Sequence, residues 1–488
     1  MPSISYASHL AALAAAEPDH PAVTDPRRTV TRSELEAEST ALAHHLADLG
    51  VATGDFVTIG LPNGIPFVRA LRACWQLGAI PQPVSSRLPA PELRAICELA
   101  EPAAVVGVDP EMAQGWPVVP ADWEPRTLDP TDRAPLPDAV SPAWKAPTSG
   151  GSTGRPKLIV SGDPSVIDPD VPPMLLVRRG GCLVMPGPLY HNGPLSWACL
   201  QLLAGGHVVV LDRFDPEATL AAIETHRADM VYLVPTMMKR ISRLEPEVRD
   251  GYDLSSLAVV WHLAEPCPEW LKREWIDWLG PKRIWELYGG TENQATTVIR
   301  GDQWLEHPGS VGRPVSGEMA VFDEAGERCP AGRVGEVFMR RSADPSEQAT
   351  YRYVGAASRR LDGGWESLGD MGWMDDDGYL YLADRKTDMI LSGGANIYPA
   401  EIEAVLDAHP SVRSSAVIGL PDEDRGNVVH AIVQADPAEV TVEELLAWCA
   451  DRLVRYKVPR SIELCDEPLR DDAGKVRRSA LRAERLAT

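Results

Sequence analysis

The chain has 488 residues, 44% of them apolar and 24% charged, with a formal net charge of −23. At roughly 100–200 residues per domain this implies two to four packed units with ample core and no compositional case for disorder. The negative charge excludes a nucleic-acid binder and a polybasic membrane-surface protein, and no run approaches the ~20 apolar residues of a membrane span.

The first twenty residues, MPSISYASHLAALAAAEPDH, lack the basic start of a signal peptide, so a cytoplasmic protein is expected. The eight cysteines are scattered without a CxxC pair, which disfavours structural zinc and leaves most of them as reduced core residues.

The first 140 residues alternate helical patterns, such as Ser33 to Leu49, with short apolar runs such as Phe56 to Leu61 and Ala103 to Val108. That rhythm predicts parallel strands covered by helices. A stretch rich in Pro and Asp from Pro117 to Pro142 reads as an irregular connection. From Gly181 the rhythm restarts, with GCLVMP, a helix from Pro194 to Leu203, HVVVL, a helix from Pro216 to His226, and MVYLVP. Short strands with Gly and Asp turns then run from Gly309 to Leu382 and predict a small β-rich unit.

After Asp384 the pattern changes again, with a helix from Pro399 to Leu406, SSAVIGL, VVHAIVQA, a helix from Val442 to Arg452, and RSIEL. The expected architecture is α/β. A large N-terminal domain, residues 1–384, holds two α/β sheet units and the β-rich unit, and a small mobile α+β domain occupies residues 385–488.

The strongest local signal is TSGGSTGRPK, Thr148 to Lys157. Its glycines free the backbone to curl, so that amides and hydroxyls can form an anion nest beside Arg155 and Lys157. It is not the Walker pattern, because Lys157 follows a proline and no Ser or Thr follows it. Taken alone, such a cluster is equally a flexible loop. Three more stretches stand with it: ELYGGTEN (Glu286 to Asn293), SLGDMGWMDDDGYLYLADRKTD (Ser367 to Asp388) and GKVRRSAL (Gly474 to Leu481).

In order and spacing these resemble the adenylate-forming superfamily of acyl-CoA synthetases, luciferases and peptide-synthetase adenylation domains. The resemblance runs over nearly the whole chain and extends to PLYHNG, GSVGRP and SGGANIYPAEIE. It implies an ATP-dependent ligase that activates a carboxylic acid as its acyl-adenylate with release of pyrophosphate. Coenzyme A is the implied acyl acceptor, with ATP and Mg2+ as cofactors.

By the same resemblance Thr148, Ser149, Ser152, Thr153 and Lys157, with Gly150, Gly151 and Gly154, hold the leaving pyrophosphate. Tyr288 stacks on adenine beside Gly289 and Gly290, Thr291 touches the α-phosphate, and Glu292 holds magnesium, as a hard cation between phosphates requires. Glu265 and Pro266 are assigned to the nucleotide side, Asp370 to the ribose hydroxyls, and Arg385 to ribose or phosphate. Lys475 bridges the substrate carboxylate and the α-phosphate, since two anions brought together need a cation between them. The C-terminal domain is implied to turn about Asp384 to Asp388, where Thr387 replaces the usual Asp or Lys, and Gly393 and Gly394 line a channel for the second nucleophile.

The acid pocket is expected to involve His191, Tyr190, Asn293 and the bulky run Trp261, His262 and Leu263, which would favour a flat or compact acid over a long chain; the run is equally read as simple core, and His191 as a buried structural histidine. His191 is placed among the catalytic candidates. No aspartate follows PLYHNG to pair with an α-amino group, which disfavours an amino acid. Arg452, Arg455, Lys457, Arg460, Arg477 and Arg478 could meet coenzyme A or form a solvated face. A stand-alone amide bond synthetase acting on a free amine shares every motif. A carrier protein in trans, a luciferase-like oxygenase and a non-catalytic nucleotide-binding protein are the remaining alternatives, and a homodimer is an open expectation.

Overall fold

The computed structural model describes residues 3–125, 134–150, 156–344, 349–385, 387–392, 395–422, 424–471 and 474–486; of Gly150, Asp384 and Arg385 it describes the backbone alone. Its class is α/β, as expected.

Among the described residues the first sheet has four parallel strands, in the spatial order Ile80–Pro83, Phe56–Ile59, Ala104–Val106 and Val118–Val119. The helix Arg32–Asp48 begins where Thr31 and Glu34 cap each other, the Thr31 amide donating to Glu34 at 2.8 Å and the Glu34 amide to Thr31 Oγ1 at 3.2 Å. Leu35, Ser39, Leu42, Ala43 and Leu46 then recur at helical spacing on its buried face.

The second sheet is larger than the sequence pattern implies. Its parallel strands run in the order Pro21–Thr24, His207–Val210, Cys182–Met185, Met230–Leu233, Val259–His262 and Ile284–Gly289. The chain then reverses through residues 290–295 into Thr296–Arg300, and antiparallel pairing continues through Ser310–Ser316 into the β-rich unit. The β-rich unit is therefore an extension of the second sheet, joined by continuous hydrogen bonding. Pro21–Thr24, early in the chain, also belongs to this sheet, so the two α/β units interleave.

A separate apolar core built on Ile390, Ile397, Ile402, Leu406, Val417, Val433 and Leu445 marks the C-terminal unit. There the helix Pro399–Asp407 covers three strands, Ser414–Asp422, Gly426–Gln434 and Ser461–Cys465. The position expected to divide the chain, 384/385, lies in the strand Leu380–Arg385 at the end of the β-rich unit.

Candidate active site

Thr148–Gly150 and Pro156–Ser161, on either side of the glycine-rich segment, pair as antiparallel strands; Thr148 pairs with Leu158 and Ser149 with Lys157. Gly151, Ser152, Thr153 and Gly154 lie outside the described residues. Thr148 is tied to the first sheet: Gln82 Nε2 donates to its Oγ1 at 2.5 Å, and Thr58 Oγ1 donates to Gln82 Oε1 at 2.6 Å. Thr58 and Gln82 are fully buried, so the strand pair starts from a fixed point.

Lys157 is held over the Tyr353 ring, its Nζ 3.9 Å from the centroid and 3.8 Å from Glu292 Oε1. The Tyr353 hydroxyl donates to the same oxygen at 2.6 Å, and burial and the carboxylate together hold that hydroxyl protonated. Glu292 is buried, and it reaches this position from the turn Gly290 to Asn293, where Asn293 has φ +54 and donates its amide to the Gly290 carbonyl at 3.1 Å. Thr291 is half-buried in the same turn.

Tyr353 has no place in the sequence reading, although Tyr351 and Tyr353 alternate as a strand requires. Its strand, Tyr351–Val354, pairs with Pro156–Ser161 and so brings the hydroxyl to the site. If it orients Glu292, Tyr353→Phe should raise the magnesium needed for half-maximal rate by about tenfold, the usual scale for a group supporting a metal ligand. A magnesium titration at fixed ATP checks this.

The Tyr288 hydroxyl donates to Asp370 Oδ2 at 2.8 Å, joining the candidate adenine and ribose residues. Asp370 pairs with Arg385 across neighbouring strands; the Arg385 side chain lies outside the described residues. Gly289 ends the strand that carries Tyr288 and is exposed, as is Pro266. At Gly290 a Cβ would fall 2.4 Å from Leu368 and 2.7 Å from Glu292 Oε2, so a side chain would displace the carboxylate.

These groups fit magnesium ATP: hydroxyls and a lysine lie at the loop, and one buried carboxylate stands beside that lysine. Among the described residues no cluster of three or more His, Cys, Asp and Glu side chains could hold a metal by itself. Glu292 would therefore share the ion with phosphate oxygens.

Adjacent residues of the strand Val259–His262 face opposite ways. Tyr232, Trp261 and Trp285 lie in register on three neighbouring strands, and Trp197 of the helix Asn192–Leu203 meets Tyr232 and Trp261 edge-on, with centroids 5.2 and 5.6 Å apart. Trp261 and Trp285 lie 5.8 Å apart, and the Trp261 indole donates to the Leu175 carbonyl at 3.1 Å. His262, in register with Glu286, is turned to the other face, where Lys272 pairs with Glu286. Burial, then Lys272, drives its ring well below the usual imidazole range. The structure thus groups Trp261 with Trp197, Tyr232 and Trp285 and sets His262 apart. Leu263 is buried behind Ala264, which turns the chain at φ +74.

His191 precedes the helix Asn192–Leu203, and its ring lies 4.3 Å from that of Tyr190. Burial, with help from the Lys475 charge, pushes the imidazole down to about 4, so it is neutral at ordinary pH. The same coupling sets Lys475, on the C-terminal unit, within electrostatic reach of His191. Two residues on, at Gly193, a Cβ would collide with the Tyr232 hydroxyl, so only glycine lets the helix approach the aromatic row. Lys145, absent from the sequence reading, braces this helix by donating to Asn192 and, at 2.8 Å, to Ser196 Oγ; burial pushes its amine down to about 7.

Gly393 and Gly394 lie outside the described residues. Of the candidate coenzyme A cations, Lys457 pairs with Glu401, Arg478 with Glu403 and Asp388, and Arg452 lies over Trp448 at 3.4 Å. Arg455, Arg460 and Arg477 are exposed.

A family model described as AMP-binding enzyme matches residues 10–343, and one for the AMP-binding enzyme C-terminal domain matches residues 401–475. The chain belongs to the AMP-binding enzyme family. Among curated relatives of this AMP-binding enzyme, feruloyl-CoA synthase of Amycolatopsis sp is 34% identical over 478 residues, 95% of this chain and 96% of the relative. The 2-succinylbenzoate–CoA ligase of Bacillus cereus is 28% identical over 471 residues, 95% of each chain. Among solved structures, the Bacillus subtilis o-succinylbenzoate CoA synthetase bound to its acyl-adenylate superposes with TM-score 0.81 at 25% identity, covering 99% of both chains. The amide bond synthetase McbA of Marinactinospora thermotolerans superposes with TM-score 0.80 at 27% identity, covering 98% of this AMP-binding enzyme and 99% of that chain. No helix among the described residues is long and apolar enough to cross a membrane.

Proposed function

We propose that the protein is an ATP-dependent, AMP-forming ligase that joins an aromatic or compact carboxylic acid to coenzyme A through an acyl-adenylate. The observation that carries this reading is the convergence of Lys157, Glu292, Tyr288 and Asp370 around one site, with Lys475 brought up to His191 from the C-terminal unit. Lys157 and the loop hydroxyls neutralise charge on the leaving pyrophosphate, and Glu292 supplies the carboxylate that would hold magnesium. Lys475 screens the repulsion between the attacking carboxylate and the α-phosphate, and the neutral His191 beside it adds no competing positive charge.

The in-register aromatic row supports a flat acid. Tyr232, Trp261 and Trp197 are buried against one another with Trp285 at the end of the row, and such a packed aromatic wall would close an acid site short of an extended chain. Replacing Trp261 by leucine should raise the kcat/KM of a longer acid relative to a compact aryl acid by roughly tenfold, about the discrimination of one or two methylenes in an apolar pocket. A competition assay with paired acids reads this ratio directly.

Coenzyme A as acceptor is supported by the likeness to two CoA-forming ligases over 95% of the chain. The likeness to McbA favours a second reading, in which a free amine attacks the adenylate. The test is incubation with ATP, magnesium and a panel of aryl, bicyclic and medium-chain acids, with coenzyme A or simple amines offered. Thioester formed much faster than amide supports the ligase reading. Amide formed while thioester is absent replaces it with the second.

A further inference from the structure

Lys475 rides on a short turn closed by the Arg470–Val476 bridge, with the Asp471 amide donating to the Lys475 carbonyl at 3.0 Å and the Lys475 amide to Asp471 Oδ1 at 2.9 Å. Behind the turn Arg470 donates to the Gly474 carbonyl at 3.0 Å, to Ser414 Oγ and the Ser415 carbonyl at 3.2 Å, and pairs with Glu403 at 3.5 Å. The front of the turn, at Gly474, rests on Glu265 of the N-terminal domain. A Cβ at Gly474 would fall on the Glu265 carboxylate, and Gly474 has φ +77, so the backbone there calls for glycine. Glu265 Oε2 accepts from the Thr236 amide at 3.1 Å and from Thr236 Oγ1 at 2.8 Å. Glu265 Oε1 is sealed from solvent with no hydrogen-bond donor among the described residues.

We propose that Glu265 is a positioning residue for the acid-activating step: it seats the Lys475 turn against the N-terminal domain, and its protonation state sets how firmly that turn docks. The inference rests on Lys475 acting in that step, as in the proposed function. An ionised carboxylate with one oxygen buried and unsatisfied is costly, whereas the neutral acid is not. Burial accordingly dominates and pushes Glu265 up to about 7; Arg470 and the Thr236 bonds oppose it, and Asp407 reinforces it.

Other ionisable groups facing this carboxylate are Tyr232 and Cys267, both driven upward by burial, with the Glu265 charge adding to it, and neutral at ordinary pH. Lys239, on the helix Pro235–Ser242 that begins beside Thr236, is paired with Asp407 at 3.3 Å across the two domains, and Arg243 donates to the His409 carbonyl at 3.3 Å. These contacts hold the domains together without engaging Oε1.

The sign follows from linkage. Once the turn lifts away, water reaches Oε1 and Glu265 returns toward the ordinary value of 4.5. The docked state therefore binds the extra proton. Docking is strongest below that ordinary value, weakens as pH rises through about 7, and levels off above it.

The experiment compares Glu265→Gln, neutral at every pH, with wild type in single-turnover acyl-adenylate formation, and separately in thioester formation from supplied acyl-adenylate. The variant-to-wild-type ratio for the first step should rise about tenfold between about pH 6 and pH 8, a tenfold change being available per unit of that window. The ratio for the second step should not rise. Glu265→Asp, which withdraws the carboxylate by one methylene, should move the wild-type profile toward lower pH and guards against a misfolded Gln variant. Parallel profiles for wild type and Glu265→Gln, with wild type active, overturn the proposal. A wild type that forms no acyl-adenylate from any acid overturns instead the function on which it rests.

Discussion

Replacing Lys475 by alanine is expected to slow acyl-adenylate formation by roughly 10²–10³-fold, the usual loss when one preorganised charge at a reacting centre is removed. Thioester formation from supplied acyl-adenylate should change little, because there the lysine has no second anion to bridge. The expected asymmetry rests on where this residue stands: its turn is fixed from behind by Arg470, and its charge is felt at the His191 ring. The measurement is single-turnover kinetics of each half-reaction. Equal losses in both would mean that the lysine supports the fold of the C-terminal unit and would contradict the role.

Glu292→Gln is the second large effect. The amide keeps the shape of the buried side chain but removes the charge that faces Lys157 and accepts from Tyr353. The magnesium concentration for half-maximal rate should rise about 10²-fold, beyond the effect expected at Tyr353, because Glu292 would touch the ion and Tyr353 touches only Glu292. Titration of magnesium at saturating ATP separates the two. An unchanged magnesium requirement would remove Glu292 from the metal site.

The residues that were legible in the sequence sit in contiguous motifs whose chemistry can be read in place. ELYGGTEN carries two glycines and the Glu292 carboxylate within eight residues, and TSGGSTGRPK carries its glycines, hydroxyls and cations within ten. The helices at Pro216 to His226 and Pro399 to Asp407 fall where apolar spacing and an initial proline put them. Tyr353 was not legible, because its partner Glu292 lies 61 positions earlier and only the pairing of Tyr351–Val354 with Pro156–Ser161 brings them together. The joining of the β-rich unit to the second sheet was hidden for the same reason: edge pairing is non-local.

At the run Trp261 to Leu263, strand alternation was available but the neighbouring strands were not. Trp261 finds its role only beside Tyr232 and Trp285, which are 29 residues before it and 24 after it in the sequence. Glu265 is the instructive case. Family resemblance assigns it to the nucleotide side, yet the backbone at Ala264 turns at φ +74 and its carboxylate meets Gly474 of the other domain.

The central claim is that the acid is activated on its own carboxylate oxygen. Acid labelled with oxygen-18 in both carboxylate positions, turned over with ATP and coenzyme A, tests it most directly. Attack on the α-phosphate transfers one labelled oxygen to AMP when the acyl group leaves, so mass spectrometry should find AMP carrying a single label and pyrophosphate carrying none. Label in inorganic phosphate, with ADP as the nucleotide product, would contradict the acyl-adenylate.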